Sequence, residues 1–226
     1  MTDFTIYIGN LSYSSWSLRP WLALKQTGAP FEEVVIPLYQ PDSKDEVLRH
    51  SPSGRVPALR HGDMTLWESL AICEYLAELF PAARLWPEDR AARAFARAVS
   101  SEMHAGFVEL RQNLPMDLRR RWPLAERMRR AGADIERVTT IWRECRAGFG
   151  RHDANGPGEF LFGGFTIADA MFAPVTTRFL TYDVPLDPVS RAYVDAIREF
   201  PAMKDWAAAA QAEPWVISYD VNSGSG

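Results

Sequence analysis

Pro57-Ala58-Leu59-Arg60-His61-Gly62-Asp63-Met64-Thr65-Leu66-Trp67-Glu68-Ser69 reads as strand, turn, strand and helix start. Two short runs, 57–60 and 64–67, flank the turn formers His61-Gly62-Asp63 as the arms of a hairpin would. From Glu68 the period changes: Ile72, Leu76 and Leu79 recur at helical spacing until Pro81 ends the run. Upstream, Phe4 to Ile8 is an aromatic and β-branched run closed by Gly9-Asn10, a first strand and its turn. A helix is expected over 18–27, with Gly28 as its stop and Ser17 as its N-cap. Pro20 is expected in that helix's first turn, where its missing N–H costs nothing. Val34-Val35-Ile36 reads as a second strand, and Val47-Leu48 as a short helix or turn before the turn cluster Ser51-Pro52-Ser53-Gly54. The pattern β-α-β-α-β-β-α describes an α/β layer over residues 1–82.

Beyond residue 87 the strand signals stop. Residues 88–114 read as one long helix, 124–149 as another, and 165–181 and 193–212 as further helices. Pro115 and Pro123 bracket a break, 151–164 is a glycine-rich loop, and 222–226 is a tail expected to fray. The expectation is therefore α/β followed by all-α: a first domain over 1–82, a linker over 84–87 and a helical bundle over 88–220.

Composition narrows the function classes. The 226 residues are 47% hydrophobic and 24% charged, with a formal net charge of −4. Such a chain can bury a large core and carries no general basic footprint for nucleic acid. Cys73 and Cys145 stand far apart, which disfavours a disulfide scaffold and a zinc site. No opening signal stretch and no apolar run of bilayer length is evident, so a cytoplasmic protein that avoids membranes is expected. Arg119-Arg120-Arg121 reads as a solvated helical face, and Trp142, Trp206 and Cys73 read as core.

Three local features carry chemistry. Ser12-Tyr13-Ser14-Ser15-Trp16-Ser17 lies between the first strand and the first helix. Helix N-termini favour anions, and a hydroxyl there can donate to a thiolate or oxyanion. The same serines would equally serve as helix caps. In Gly54-Arg55-Val56-Pro57, a cis Val56-Pro57 bond would turn the Val56 backbone toward a ligand. Without it, Pro57 is an ordinary edge-strand proline. Glu68-Ser69 opens a helix, where Ser69 could meet a carboxylate and Glu68 an ammonium group, or the pair could simply favour the helix start.

Taken together, Ser14-Ser15-Trp16-Ser17, Arg55-Val56-Pro57-Ala58-Leu59 and Glu68-Ser69-Leu70-Ala71-Ile72 resemble the thioredoxin-like domain of the cytosolic glutathione transferase family. Phe165-Thr166-Ile167-Ala168-Asp169-Ala170 resembles the capping box in that family's helical domain. The resemblance implies glutathione as co-substrate, without a metal, and a small electrophile as the second substrate. It implies Ser14, or its neighbour Ser15, against the thiolate, and Val56 pairing with the cysteinyl backbone before a cis Pro57. Glu68 and Ser69 would take the γ-glutamyl end, with Arg55 near the glycyl carboxylate. The serine run is similar to the zeta class, which includes maleylacetoacetate isomerase, although Trp16 stands where that class has cysteine. Zeta members also hold a substrate carboxylate with an arginine in the helix after the capping box, where this chain has Arg178 off the expected position.

Tyr13, Met103, His104, Phe107 and Arg111 are candidates to line the electrophile pocket. Met103 to Phe107 and Phe107 to Arg111 are i, i+4 pairs on one expected helix face, a face that interface packing would also explain. His104 reads as a surface or satisfied histidine. A homodimer is implied by the resemblance. The competing functions are transfer of glutathione to an electrophile, glutathione-dependent cis–trans isomerisation, and non-catalytic binding on the same fold.

Overall fold

A computed structural model describes residues 3–122, 125–150 and 158–217. The expected tail, the segment 151–157 of the glycine-rich loop, and Pro123 and Leu124 lie outside the described residues. The elements run β1 (Phe4–Ile8), α1 (Ser15–Thr27), β2 (Phe31–Val35), α2 (Ser43–His50), β3 (Ala58–His61), β4 (Met64–Trp67) and α3 (Ser69–Leu79). A 3-10 turn at Pro81–Ala83 leads to α4 (Arg90–Ala105), α5 (Val108–Asn113), α6 (Ala125–Arg130) and α7 (Gly132–Phe149). The chain continues as α8 (Ile167–Thr181), α9 (Pro188–Glu199) and α10 (Pro201–Ala212).

The sheet order is β2-β1-β3-β4, with β1–β2 parallel and the other pairs antiparallel. All five β1 residues are buried, as a strand covered on both faces requires. The hairpin forms with a tighter turn than expected: His61, read as a turn residue, pairs with Met64, Ala58 lies opposite Trp67, and Pro57 precedes the strand. Helix α1 packs between α3 and α8, so it joins the sheet layer to the helical region. One hydrophobic cluster runs from Phe4 through Trp142 to Trp206 and Ala210 without interruption. Cys73 is fully buried within it, as expected.

Several expectations are corrected. Helix α1 starts at Ser15, not Leu18, with Ser14 as N-cap and Ser17 inside the first turn. Tyr13 N and Ser14 N both donate to Asn10 O, at 3.1 and 2.8 Å, so the turn closes early and the helix begins at once. Pro20 therefore lies inside the helix rather than in its first turn. The second strand runs Phe31–Val35 and leaves Ile36 beyond its end. The long helix of 88–114 is two helices, α4 and α5, separated by extended Gly106 and by Phe107 at φ 62°. The regions 124–149 and 193–212 likewise each divide between two helices.

The arginine run is not a helical face. Prolines on both sides keep 115–122 out of helix. Arg119 donates to Ala210 O at 2.9 Å and Trp215 O at 3.0 Å, and Arg121 donates to Leu180 O at 2.8 Å. The expected linker is packed as well: Leu85 and Trp86 are buried, and Leu85 O accepts from Ile167 N at 2.8 Å. Among the described residues no helix is long and apolar enough to cross a membrane.

Helix α8 begins with the expected capping box. Asp169 accepts from Thr166 N at 2.8 Å, Thr166 Oγ1 at 2.9 Å and Leu161 N at 3.1 Å. Burial raises its carboxyl pKa to about 6, with these donors working against the rise.

Candidate binding cleft

The start of α1, the start of α2 with Val47, the Val56-Pro57 turn and the start of α3 enclose a cleft with two lobes. The larger, 520 Å³, is lined by Tyr13, Ser14, Ser15, Arg111 and Arg178 among others. The smaller, 250 Å³, is lined by Pro57, Glu68, Ser69 and His104. Trp16, Arg55 and Val56 line both lobes, so they mark the junction.

Ser14 is seated by a close approach. A side chain at Gly9 would meet Leu38 at 2.7 Å and Ser14 Cβ at 3.2 Å, so glycine lets the end of β1 run against the start of α1. Gly9 N donates to Ser17 Oγ at 3.0 Å, and Ser17 Oγ lies 2.8 Å from Ser14 Oγ. When Ser17 donates to Ser14, the Ser14 proton is left to point into the cleft. Hydrogen bonds in such a chain polarise one another. Ser14 makes no capping bond to its own helix.

The Val56-Pro57 peptide is cis, as the resemblance implies. Glu68 takes φ 71°, a strained region for a residue with a side chain, and strain of this kind collects at ligand sites. It turns the chain so that Ser69 heads α3 with a buried hydroxyl lacking a hydrogen-bond partner among the described residues. A buried polar atom left so is costly unless something fills the site.

His104, expected as a surface or satisfied histidine and as a candidate to line the pocket, is half-buried at the cleft. It lines the smaller lobe with Nε2 3.6 Å from Glu68 Oε2, and Nδ1 is buried without a hydrogen-bond partner among the described residues. Its pKa is lowered, first by burial and then by Arg19, while Glu68 opposes the shift.

Met103 and Phe107 do not face the cleft. Both belong to the buried core, and the helix break between them destroys the expected common face. Arg111 reaches the cleft by another route. Its guanidinium folds back onto the open carbonyls that end α4, donating to Met103 O, to Gly106 O at 2.9 Å and to His104 O at 3.1 Å. Gly106 was the one local signal of this break.

Sequence reasoning named Arg111 and Arg178 but missed Arg19, a buried cation against Trp16 that lines neither lobe itself. Arg19 is fully buried, and none of its guanidinium nitrogens has a hydrogen-bond partner among the described residues. Burial, then repulsion from Arg111 and Arg178, pulls its pKa well below the usual guanidinium value. Trp16 is its compensation: the Arg19 guanidinium lies 4.3 Å from the indole centroid and that of Arg111 lies 4.5 Å away. Arg178, buried in α8, donates to Pro174 O at 3.1 Å and lines the larger lobe. The cleft thus joins a hydroxyl donor to a positive field, an arrangement that stabilises anions. Cys73 contributes no thiolate, since burial pushes its pKa up to about 12.

Comparison with known proteins agrees with this geometry. The family model described as "Glutathione S-transferase, N-terminal domain" matches residues 13–79. Maleylpyruvate isomerase of Ralstonia sp. is 30% identical over 217 residues, 89% of this chain and 96% of that protein. Maleylacetoacetate isomerase of Rattus norvegicus is 40% identical over 106 residues, which is 46% of this chain but only about half, 48%, of that relative's length. Among solved structures, a glutathione transferase homolog from Burkholderia gl BGR1 with bound glutathione superposes with TM-score 0.69 at 26% identity, covering 92% of this chain and 98% of that one.

Proposed function

The chain belongs to the glutathione S-transferase family, and from that premise we propose that its cleft binds glutathione and activates the thiol for attack on a small electrophile. The observation that carries this reading is the Gly9–Ser17–Ser14 hydroxyl chain at the start of α1, which frees the Ser14 proton for the cleft when Ser17 donates to Ser14. The Val56 backbone, at the junction of the two lobes, would pair with the cysteinyl unit. Ser69, with its unpartnered hydroxyl, and Glu68 would take the γ-glutamyl carboxylate and ammonium, and Arg55 the glycyl end.

A free cysteine thiol titrates near 8.5, and each unit of depression needs about 1.36 kcal/mol in favour of the anion. One charge-assisted hydrogen bond, worth roughly 1.5–3 kcal/mol, supplies one to two such units. The thiolate then forms the new carbon–sulfur bond in the larger lobe, near Tyr13 and Arg111. The glutathione-binding unit would be 1–82 and the helical unit 88–220. We expect a cytoplasmic homodimer, for which the exposed Met64, Trp67 and Leu79 offer apolar surface.

A second reading, glutathione-dependent cis–trans isomerisation, is favoured by Arg111 and Arg178, which both line the larger lobe. An unsaturated carboxylic acid would be held there by its carboxylate. The thiolate would add to one alkene carbon, the resulting single bond would rotate, and elimination would return thiolate and the other isomer. Both readings share one test. Thiolate absorbance of bound glutathione, titrated against pH, should show a depressed thiol pKa that moves back toward the free value in Ser14→Ala. Tight binding with an unshifted thiol would leave a binding protein, and no saturable signal would discard the glutathione site. Turnover of a simple aryl halide against that of a maleyl acid then separates transferase from isomerase.

A further inference from the structure

Glu213 lies just beyond the end of α10, where the helix dipole is negative and a carboxylate is unfavourable. Yet it is buried, and both of its oxygens are used. Oε2 accepts from Leu11 N at 2.8 Å and Oε1 from Ser12 N at 2.9 Å, across more than two hundred residues of sequence. The remaining polar groups of this dipeptide are met from the same side. Trp206 Nε1 donates to Leu11 O at 2.9 Å, Leu118 N donates to Ser12 O at 3.3 Å, and Ser12 Oγ donates to Ala210 O at 3.0 Å. Every backbone donor and acceptor of Leu11 and Ser12 is therefore held by the helical region, and none by the sheet layer that carries the dipeptide.

The next link is short. Asn10 O receives Tyr13 N and Ser14 N, so the turn containing Leu11 and Ser12 sets where Ser14 begins α1. On the far side, Arg119 ties Ala210 O and Trp215 O together, steadying the stretch on either side of Glu213. An acid that is wrong for its own helix and right for a loop elsewhere is placed for the loop.

We propose that Glu213 is a positioning residue for Ser14: its carboxylate latches the loop before α1 to the end of the helical region, and so fixes the hydroxyl that faces the thiol. The proposal rests on the glutathione reading for its catalytic consequence, but not for the latch itself. The Glu68, Ser69 and Val56 contacts lie on other elements and should keep their affinity for the tripeptide.

The test uses full-length Glu213→Ala and Glu213→Gln. Gln keeps one acceptor, so one of the two loop bonds survives, whereas Ala keeps none. In Glu213→Ala, kcat should fall about tenfold or more, since displacement of a reacting group by an ångström can cost about a hundredfold. KM for glutathione should stay within about twofold, and the bound thiol pKa should move toward the free value, with Gln intermediate in each. A purely structural role would lower the melting temperature without moving the bound thiol pKa. Amide hydrogen exchange over residues 10–14 of the ligand-free protein judges the latch independently, with protection expected to fall in Ala and partly in Gln. Unchanged exchange in a folded Glu213→Ala protein, or lost protection with unchanged kcat and thiol pKa, overturns the proposal. Absence of glutathione binding in the unsubstituted protein overturns the glutathione reading and with it the catalytic consequence, while the exchange result still decides the latch.

Discussion

Ser14 and Thr166 both stand at an N-cap, one before α1 and the other before α8. Thr166 closes a reciprocal box with Asp169 at a fully buried helix start, and Ile167 N donates to Leu85 O. Ser14 makes no capping bond, and among the described residues its hydroxyl is partnered only by Ser17, at the edge of a cleft. The start of α3 is open too, since among the described residues the Ser69 hydroxyl has no hydrogen-bond partner at all. A helix start whose polar groups satisfy one another is there for stability. One that leaves them open beside a cavity is there for a ligand.

The sharpest way to break this contrast is Asp169→Ala. It strips the acceptor from three donors, Leu161 N, Thr166 N and Thr166 Oγ1, all buried. At about 1–3 kcal/mol for each buried group left unpaired, the loss should reach at least roughly 3 kcal/mol. For a chain of this length that corresponds to about 6–12 °C in melting temperature. Calorimetry checks it, and the folded fraction should keep its bound-thiol pKa. A shifted thiol pKa at unchanged stability would mean that α8 is also a functional start.

Ser14→Ala should do the reverse, with little change in melting temperature but a rise of about one unit in the thiol pKa of bound glutathione. At neutral pH this lowers the thiolate fraction, and turnover with it, by roughly three- to eightfold. Ser15→Ala should change turnover less than about twofold, since no hydroxyl chain feeds Ser15. If the two serines exchange these outcomes, the thiolate is held one residue later.

Trp16→Leu probes the cationic side of the open start. Two guanidinium groups lie against the indole, and each contact is worth about 0.5–1 kcal/mol, or near 2 when desolvated. Chemical denaturation should show a loss of roughly 1–2 kcal/mol, with the bound-thiol pKa unmoved. No loss would mean that the arginines are held by other means.

The closed start was legible in the sequence because a capping box is a pattern of four neighbouring residues, Thr166 to Asp169. The hairpin and the Glu68-Ser69 start were legible for the same reason. Periodicity carried the helices but not their breaks: a single left-handed residue, Phe107, divides α4 from α5 without disturbing the apolar spacing. Arg19 reads as a surface residue in any window, because its burial depends on a tryptophan of its own helix meeting Arg111 from another. Glu213 was out of reach altogether, since its partners are two backbone amides at the opposite end of the chain.

The smallest expected effect concerns the start of α3, where Glu68 faces His104. Burial and the nearby Arg19 and Arg111 hold the imidazole pKa below its ordinary value, and only Glu68 pulls the other way. Above about pH 6.5 the histidine is neutral in both folded and unfolded chains and contributes nothing. As the pH falls through that value the unfolded chain takes up the proton first, so the folded state loses stability. The loss levels off only once the pH lies below the folded pKa. Denaturation midpoints of the ligand-free protein relative to His104→Gln should therefore decline on acidification from pH 6.5, with little difference above it. A relative gain on acidification would mean that the Glu68 carboxylate outweighs burial and both arginines. The start of α3 would then be a neutralised ion pair, closed like that of α8 rather than open like that of α1.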